Sequence, residues 1–327
     1  MNGTGRFWGH TVSDALALKH VAITGATGFI GRYLTQALVA LECYPTLFTC
    51  GRQPQSAALQ MENRVRWVPM DLLDERAIAE TMQQEKPAVI FHLAGTRGRE
   101  ATYRACTHCA RLNVEATLQL LKAASQCGVE RVIMLGTADE YGDQPGPLHE
   151  TLPLYPVSPY AISKAAATRF SQTLFQREGC PVTVLRPFTV YGPGQPGDMF
   201  VAEAVSCAIA GQPFRMTHGQ QRRDFVFIDD MVEAMMKAAS APQVEGQVIN
   251  IGSGQATRLC DVASLIWELS GSEAPLLIGA RPGGASEFHD TWADISRAKT
   301  LLNWEPRVSL RAGLHNMIAW ERQQHFI

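Results

Sequence analysis

The sequence predicts an α/β fold, a doubly wound parallel sheet of the Rossmann type with a smaller C-terminal lobe. Short, continuously apolar segments alternate with longer segments in which apolar residues recur every three or four positions. Strands that are buried on both faces read as continuous apolar runs, and their alternation with helices is typical of parallel sheets. In addition, the first apolar segment, His20–Thr24, runs directly into a glycine-rich turn.

Seven segments have the composition of buried strands. They are His20–Thr24, Thr46–Cys50, Val65–Pro69, Ala88–Leu93, Arg131–Gly136, Val182–Phe188 and Val248–Gly252. Helical periodicity is found in the segments Ile30–Leu41, Glu75–Gln84, Leu112–Ser125, Tyr160–Glu178 and Met231–Ala239. Because parallel neighbours need a crossover, usually a helix, this order of segments predicts one parallel sheet.

The turn after the first predicted strand carries Gly25, Gly28 and Gly31. Their spacing is G-x-x-G-x-x-G, which differs from the common G-x-G-x-x-G of dinucleotide-binding turns. The helix that follows would point its first backbone N–H groups towards the turn, which is where a pyrophosphate binds. We therefore predict a dinucleotide site at this turn.

A second motif, Tyr160 followed four residues later by Lys164, lies at the start of a predicted helix. A tyrosine with its ordinary pKa of about 10 is a poor base at neutral pH. A lysine one helical turn away lies on the same face, and its positive charge favours the phenolate. Together with the dinucleotide turn upstream, this pair predicts hydride transfer at a carbinol or carbonyl, with the tyrosine handling the proton.

The chain is expected to divide into a tail, a sheet domain and a lobe. Residues 1–19 precede the first strand as a tail, and residues 20–190 form the dinucleotide-binding domain, which the segment 225–258 rejoins. Residues 191–224 and 259–327, where glycine- and proline-rich loops interrupt the pattern, form a substrate-binding lobe. Ligands of open α/β sheets bind at the carboxyl ends of the strands, so we expect the lobe to face that edge.

Composition excludes several classes of function. The chain has 327 residues and a formal net charge of −2, which gives no electrostatic reason to expect nucleic acid or an anionic membrane as a partner. No apolar run approaches the roughly 20 residues that span a bilayer. The first residues lack the pattern of a signal peptide. We therefore expect a cytoplasmic protein.

The eight cysteines are expected to be reduced thiols rather than ligands or disulfides. Their spacing is irregular, apart from the C-x-x-C formed by Cys106 and Cys109. A zinc site would need a second pair of ligands, which the sequence does not offer. A redox dithiol remains a minor alternative, and no metal site is predicted.

A series of motifs in one order makes the chain resemble the NAD-dependent epimerase/dehydratase family, extended short-chain dehydrogenases/reductases that act on nucleotide sugars. The resemblance extends from residue 20 to about residue 320. Besides the turn at residues 25–31 and the Tyr160/Lys164 pair, its landmarks are Met70–Leu72, Phe91–Gly95, Leu112–Val114, Gly136–Gly142, Arg186–Pro193, Arg222–Asp230, Asn250–Gly254 and Arg281–Gly283.

The resemblance implies roles for individual residues. Thr137 would hydrogen-bond the sugar oxygen, Tyr160 would remove its proton, and Lys164 would lower the pKa of the tyrosine and bond the nicotinamide ribose. Arg223, Arg281 and Thr189 match substrate-binding positions, although many relatives have asparagine in place of Thr189. The implied cofactor-binding residues are Gly25, Thr27, Gly28, Phe29, Ile30, Gly31, Asp71, Leu72, Leu93, Ala94, Tyr160, Lys164 and Pro187.

Two features leave the cofactor open between NADP and NAD, with NADP slightly favoured. An acidic residue at the end of the second strand would select NAD by bonding the ribose hydroxyls. No carboxylate lies there, and Arg52 follows just after. An arginine at this place suits the 2′-phosphate of NADP.

The resemblance leaves the reaction open as well. Dehydratases of the family use two acidic or polar residues after the catalytic threonine, whereas this chain has Ala138 followed by Asp139 and Glu140. Neighbouring residues of an extended segment face opposite ways, so only Asp139 is expected to face the sugar. We rank 4-epimerisation of a nucleoside diphosphate sugar first, then NADPH-dependent reduction of a 4-keto-6-deoxy sugar, then 4,6-dehydration. A non-catalytic dinucleotide sensor is a remote alternative, and a homodimer is the family's habit.

Overall fold

The computed structural model describes residues 16, 19–49, 64–98, 100–282 and 290–325. Seven parallel strands form the main sheet, in the order β11-β6-β5-β4-β1-β2-β3. These strands are β1 (Val21–Thr24), β2 (Thr46–Thr49), β3 (Arg66–Pro69), β4 (Val89–His92), β5 (Arg131–Leu135), β6 (Val182–Pro187) and β11 (Val248–Ile251). Each of them lies within one of the predicted strand segments, so the predicted α/β fold is confirmed.

The strand order reverses next to β1. One half of the sheet continues from β1 to β2 and β3, and the other half continues from β4 to β5, β6 and β11. Thr24 at the end of β1 pairs with His92 at the end of β4. Open α/β sheets bind ligands at such a reversal, beyond the carboxyl ends of the strands. The glycine turn and the loop after β4 therefore meet at this position.

Helices cover both faces of the sheet. They are α1 (Phe29–Ala40), α2 (Glu75–Glu85), α3 (Tyr103–Cys109), α4 (Ala116–Gln126), α5 (Pro159–Glu178), α6 (Phe200–Ile209), α7 (Ile228–Ser240), α8 (Leu259–Ser270), α9 (Ser296–Leu302) and α10 (Leu310–His325). On one face α1 packs against α7, and on the other α4 packs against α2 and α5. Successive strand residues alternate between the faces: Val21 and Ile23 join one buried cluster, and Ala22 joins the other.

One helical region differs from the prediction. The predicted helix Leu112–Ser125 is observed as α4 preceded by a π-helical turn, Ala110–Glu115, which joins it to α3. Most side chains of α3 are exposed, so it has no apolar face that sequence periodicity can reveal. A π-helical turn accommodates an extra residue and shifts the apolar pattern, which explains why the prediction began too late.

The remaining strands form small sheets beyond β6. β7 (Thr189–Tyr191) pairs with β10 (Phe225–Phe227), and β8 (Phe214–Met216) pairs with β13 (Leu276–Ile278). A third sheet has the order β12-β9-β14, with β9 at Arg222–Arg223, β12 at Thr257–Arg258 and β14 at Asp290–Thr291. Helices α6, α8 and α10 pack on one another. Among the described residues, no helix is long and apolar enough to cross a membrane.

Candidate active site

The glycines at residues 25, 28 and 31 let the chain turn tightly between β1 and α1. Gly25 has φ +73°, and a Cβ on it would lie 2.6 Å from the backbone nitrogen of Ala94. A Cβ on Gly31 would lie 2.2 Å from the carbonyl oxygen of Gly25. Glycine is therefore required at residue 25 because of its backbone conformation. It is required at residues 25 and 31 because other segments of the chain approach them closely.

The start of α1 fits a pyrophosphate. Gly28 is the N-cap residue, no side chain caps the helix, and its first turn contains no acidic residue. The first N–H groups of an α-helix have no partner within the helix, and they carry a partial positive charge. Thr27 is exposed and Phe29 and Ile30 are half-buried at this end. The start of α1 thus offers unpaired N–H groups and no acidic side chain at the place where the pyrophosphate is predicted to bind.

Other predicted cofactor residues surround the same edge of the sheet. Leu93 and Ala94 follow β4, where the backbone N–H of Leu93 donates to the carbonyl of Thr24 at 3.1 Å. Asp71 follows β3 and accepts a hydrogen bond from the backbone of Leu73, while the next residue, Leu72, is buried. The cap of α2 is another residue, Asp74. Pro187 ends β6, and Arg52 lies outside the described residues.

Tyr160 and Lys164 lie in the first turns of α5. Ser158 caps the helix by accepting a hydrogen bond from the backbone of Ala161 at 3.1 Å. The N–H of Tyr160 donates to the carbonyl of Gly98 at 3.2 Å, which ties the tyrosine to the loop after β4. Its hydroxyl is hydrogen-bonded to the side chain of Thr137. Thr137, Tyr160 and Lys164 are thus brought together at the carboxyl ends of β4 and β5.

The pKa values of Tyr160 and Lys164 are both shifted by burial. Burial, followed by the charge of Asp139, raises the pKa of Tyr160 to about 12, although the Thr137 hydrogen bond and the charge of Arg97 oppose this rise. Burial lowers the pKa of Lys164 to about 8, against the charge of Glu140. Desolvation disfavours the charged form of both groups, and Lys164 is not among the charges that act on the pKa of Tyr160 here. That Lys164 lowers the pKa of the tyrosine stays a prediction.

The side chain of Glu140 lies in the protein interior. It is fully buried, and one carboxylate oxygen accepts from the guanidinium of Arg186 at 2.7 Å. The other oxygen accepts from the backbone of Thr137 at 2.9 Å and from the hydroxyl of Thr168 at 3.2 Å. The charge of Asp139 raises the pKa of Tyr160 more than that of Glu140 does. Residues Ala138–Tyr141 form a 3-10 turn, so the extended segment on which the predicted alternation of the two side chains depended is not observed.

Asn113 connects the loop after β4 to the catalytic helix. Its side chain accepts from the backbone N–H of Thr96 at 2.8 Å and donates to the carbonyl of the same residue at 3.0 Å. It also donates to the hydroxyl of Ser163 at 2.9 Å, which in turn donates to the carbonyl of Tyr160 at 2.8 Å. These contacts give Asn113 a structural role.

The three predicted substrate-binding residues lie on different elements. Thr189 begins β7, where its N–H donates to the carbonyl of Asp224 at 2.9 Å. Arg223 lies in β9 and donates to the carbonyl of Arg222. Arg281 follows β13 and pairs with Glu203 of α6 at 2.9 Å. None of these contacts joins the three residues to each other, so a common role in binding stays a prediction.

Arg97 is a further neighbour of the tyrosine. From the sequence alone, the side chains of Arg97, Arg99 and Arg104 around the loop after β4 could face either a charged substrate or solvent, with solvent expected for at least two of them. The charge of Arg97 acts on Tyr160, while its guanidinium contacts Met199 at 3.0 Å. Arg104 is exposed, and Arg99 lies outside the described residues. The one sign in the sequence that Arg97 lies near Tyr160 is its position just after a central strand, β4.

Sequence reasoning also missed Arg186, the buried partner of Glu140. An arginine inside an otherwise apolar strand has to find a partner when it is buried, and this was the signal in the sequence. The cysteine pair gives no sign of a metal: Cys106 is exposed, Cys109 is buried and both are free thiols. Within the described ranges no cluster of histidine, cysteine and acidic residues could hold a metal ion.

Comparison with known proteins agrees with this geometry. The sequence model of the NAD dependent epimerase/dehydratase family matches residues 21–252. The chain belongs to this family. An uncharacterized UDP-glucose epimerase, YtcB of Bacillus subtilis strain 168, is 32% identical over 92% of this chain and 97% of its own length. The family resemblance inferred from the motifs is confirmed.

Two solved structures are closely similar. The UDP-glucose 4-epimerase of Thermotoga maritima, in complex with UDP-glucose, superposes with a TM-score of 0.87 at 26% identity, covering 94% of this chain and 99% of that one. MoeE5, in complex with UDP-glucuronic acid and NAD, has a TM-score of 0.83 at 32% identity, covering 93% and 99%. Relatives at 25–29% identity also include a decarboxylase and dTDP-glucose 4,6-dehydratases.

Proposed function

We propose that the protein is an NAD-dependent UDP-sugar 4-epimerase that oxidises and reduces the sugar at C4. The observation that carries this proposal is the meeting of Thr137, Tyr160 and Lys164 with two carboxylates, Asp139 and Glu140, of which Glu140 is held in a buried ion pair. Oxidation at C4 needs one base and one hydrogen bond to the oxygen, whereas dehydration needs additional acids. Glu140 is held by Arg186, which leaves Asp139 as the one acid next to the threonine and supports epimerisation over dehydration.

In this proposal Tyr160 takes the proton of the C4 hydroxyl while Thr137 hydrogen-bonds the same oxygen. Bound NAD supplies the hydride acceptor and a positively charged ring, which favours the phenolate. When the keto sugar presents its other face, Tyr160 returns the proton as the hydride returns to C4. Lys164, one helical turn from the tyrosine, bonds the nicotinamide ribose.

NAD rather than NADP is the cofactor in this proposal. MoeE5, at 32% identity, was solved with NAD, and the prediction favouring NADP depended on Arg52, which the structure does not describe. The turn at Gly25–Gly31 would hold the pyrophosphate, and Asp71 and Leu72 would lie near the adenine. Residues 191–224 and 259–327 would form the lobe that binds the UDP-sugar through Thr189, Arg223 and Arg281.

Two further expectations belong with this function. The described cysteines are free thiols, which persist in a reducing compartment, and we propose that the enzyme works in the cytoplasm.

We also propose a homodimer, in which the exposed faces of α3 and α5 meet their copies. Tyr103, Ile162 and Phe170 are large apolar side chains exposed on these helices.

The proposal is tested by incubating the enzyme with a panel of UDP-sugars, including UDP-glucose and UDP-glucuronate, and with 4-keto-6-deoxy sugars. NAD or NADPH is added, and products are separated by chromatography and weighed by mass spectrometry. An isomer of unchanged mass supports the epimerase. Loss of water identifies a dehydratase, and gain of two hydrogens with NADPH a reductase. No product, with NAD binding demonstrated, favours the sensor.

A further inference from the structure

A chain of buried hydrogen bonds runs through His92, the last residue of β4. The imidazole is 4% exposed. Its Nδ1 lies 2.8 Å from the hydroxyl of Thr24, at the end of β1. Its Nε2 lies 2.9 Å from the hydroxyl of Thr117, on α4. Both ring nitrogens are thus occupied by threonines from different elements.

The other hydrogen-bond partners of the two threonines fix the direction of every bond in this chain of hydrogen bonds. The hydroxyl of Thr117 donates to the carbonyl of Asn113 at 2.9 Å, so it accepts from His92, and Nε2 carries the proton. Nδ1 is then the acceptor and receives the proton of the Thr24 hydroxyl. That hydroxyl accepts from the backbone N–H of Ala94 at 3.3 Å. One neutral tautomer therefore satisfies all of these groups.

One end of this chain of hydrogen bonds reaches the dinucleotide turn. Thr24 directly precedes Gly25, and the backbone of Ala94 lies so close to Gly25 that no side chain fits between them. The Ala94 N–H is the first donor of the chain. A shift of His92 would therefore change the separation between the β1 turn and the loop after β4.

The other end reaches the catalytic helix. Asn113, whose carbonyl accepts from Thr117, donates through its side chain to Ser163, and Ser163 donates to the carbonyl of Tyr160. Asn113 also holds both the N–H and the carbonyl of Thr96. The route from the dinucleotide turn to the backbone of Tyr160 is thus continuous, and it is buried except for the part-buried bonds at its two ends, from Ala94 and to Tyr160.

We propose that His92 is a positioning residue: as a neutral imidazole protonated at Nε2, it fixes helix α5, and hence Tyr160, relative to the dinucleotide turn. It touches no reacting atom and acts through Thr24, Thr117 and Asn113. The inference rests on the proposed role of Tyr160 but not on which sugar is converted. Hydride transfer depends on the placement of a few atoms, and a displacement of about 1 Å costs on the order of a hundredfold in rate.

Charge supports the neutral form. Burial, and then the positive charge of Lys164, lower the pKa of His92 to about 3. The imidazole consequently stays neutral throughout the range in which an enzyme works. A protonated ring would have two donors and could not accept from Thr24, which would break the chain at its centre.

A matched pair of threonine variants tests the proposal. Thr117→Val removes the hydroxyl between His92 and Asn113. Thr183→Val removes an equally buried hydroxyl on β6, which donates to the carbonyl of Val244 at 2.9 Å and has no part in the chain. We expect Thr117→Val to lower kcat by about tenfold or more with KM little changed. Thr183→Val should shift Tm by as much as Thr117→Val does, but leave kcat within about twofold of the wild type. Equal kcat values in the two variants would overturn the proposal.

Substitution of the histidine gives a second test with a rescue. His92→Leu removes both bonds, whereas His92→Gln keeps one donor and one acceptor. We expect His92→Gln to recover most of the turnover lost in His92→Leu. If the two variants fold alike and are equally impaired, or if both retain full turnover, His92 does not position the helix.

Hydrogen exchange separates this inference from the proposed function, because it needs no turnover. We expect the backbone amides of residues 158–166 to exchange at least about tenfold faster in Thr117→Val than in the wild type. In Thr183→Val their exchange rate should equal that of the wild type. This result would support the positioning role even if no UDP-sugar is epimerised. Unchanged exchange in Thr117→Val would reject that role even if the wild type is an epimerase.

Discussion

Single residues around Tyr160 set its pKa in opposite directions. Arg97 lowers it and Asp139 raises it. In the proposed reaction the active base is the phenolate, so the rate should rise as pH rises through this pKa. Arg97→Gln should therefore move the ascending limb of the kcat/KM profile to higher pH, and Asp139→Asn should move it to lower pH.

The control for these two variants is Arg104→Gln, since Arg104 is exposed on α3. Its profile should match the wild type. Asp139→Asn also tests the reaction, because a dehydratase would lose activity without its acid while an epimerase would keep it. Shifts of both variants in the same direction would contradict the opposing effects of Arg97 and Asp139 on the tyrosine. Complete inactivity of Asp139→Asn would contradict epimerisation.

At the scale of elements, the short turn Ala138–Tyr141 depends on the buried pair of Glu140 and Arg186. Removing one partner of a buried ion pair leaves an uncompensated charge. We expect Glu140→Gln to lower the free energy of unfolding by about 3 kcal/mol in chemical denaturation. Glu203→Gln breaks the half-exposed pair with Arg281 and should cost less than about 1 kcal/mol. A similar small loss in both variants would show that the buried pair does not hold the turn.

The elements also show how far the sequence predicts the structure. The strands were predictable because both of their faces are buried. The ranges His20–Thr24 and Val182–Phe188, for example, are continuously apolar except for His20, Arg186 and one threonine in each. The prediction for Asp139 and Glu140 assumed an extended segment, whereas residues Ala138–Tyr141 form a 3-10 turn. The hydrogen-bond route from His92 to Tyr160 was not predictable either, since it joins β4, the helical region around Asn113 and Thr117, and α5, which are far apart in sequence. Its π-helical turn at Asn113 has no periodic signal.

At the scale of the whole molecule, the outer faces of α3 and α5 predict a dimer. Ile162 and Phe170, 52% and 48% exposed, lie eight residues apart on one side of α5, and Tyr103 on α3 is 96% exposed. Ile162→Asp should convert a dimer to a monomer in size-exclusion chromatography with light scattering, because a buried charge without a partner opposes association. The matched control is Ile278→Asp, at a side chain 45% exposed on β13, which should remain dimeric. A monomeric wild type, or a dimeric Ile162→Asp, would contradict the proposed interface.

In the proposed reaction, the enzyme removes hydride from C4 and returns it to the same carbon. This path can be followed with UDP-glucose carrying deuterium at C4, incubated with the enzyme and NAD and analysed by chromatography and mass spectrometry. We expect an isomer of unchanged mass with the deuterium still at C4, and no isomer from Tyr160→Phe. Loss of the label to solvent, or full turnover by Tyr160→Phe, would rule out this reaction.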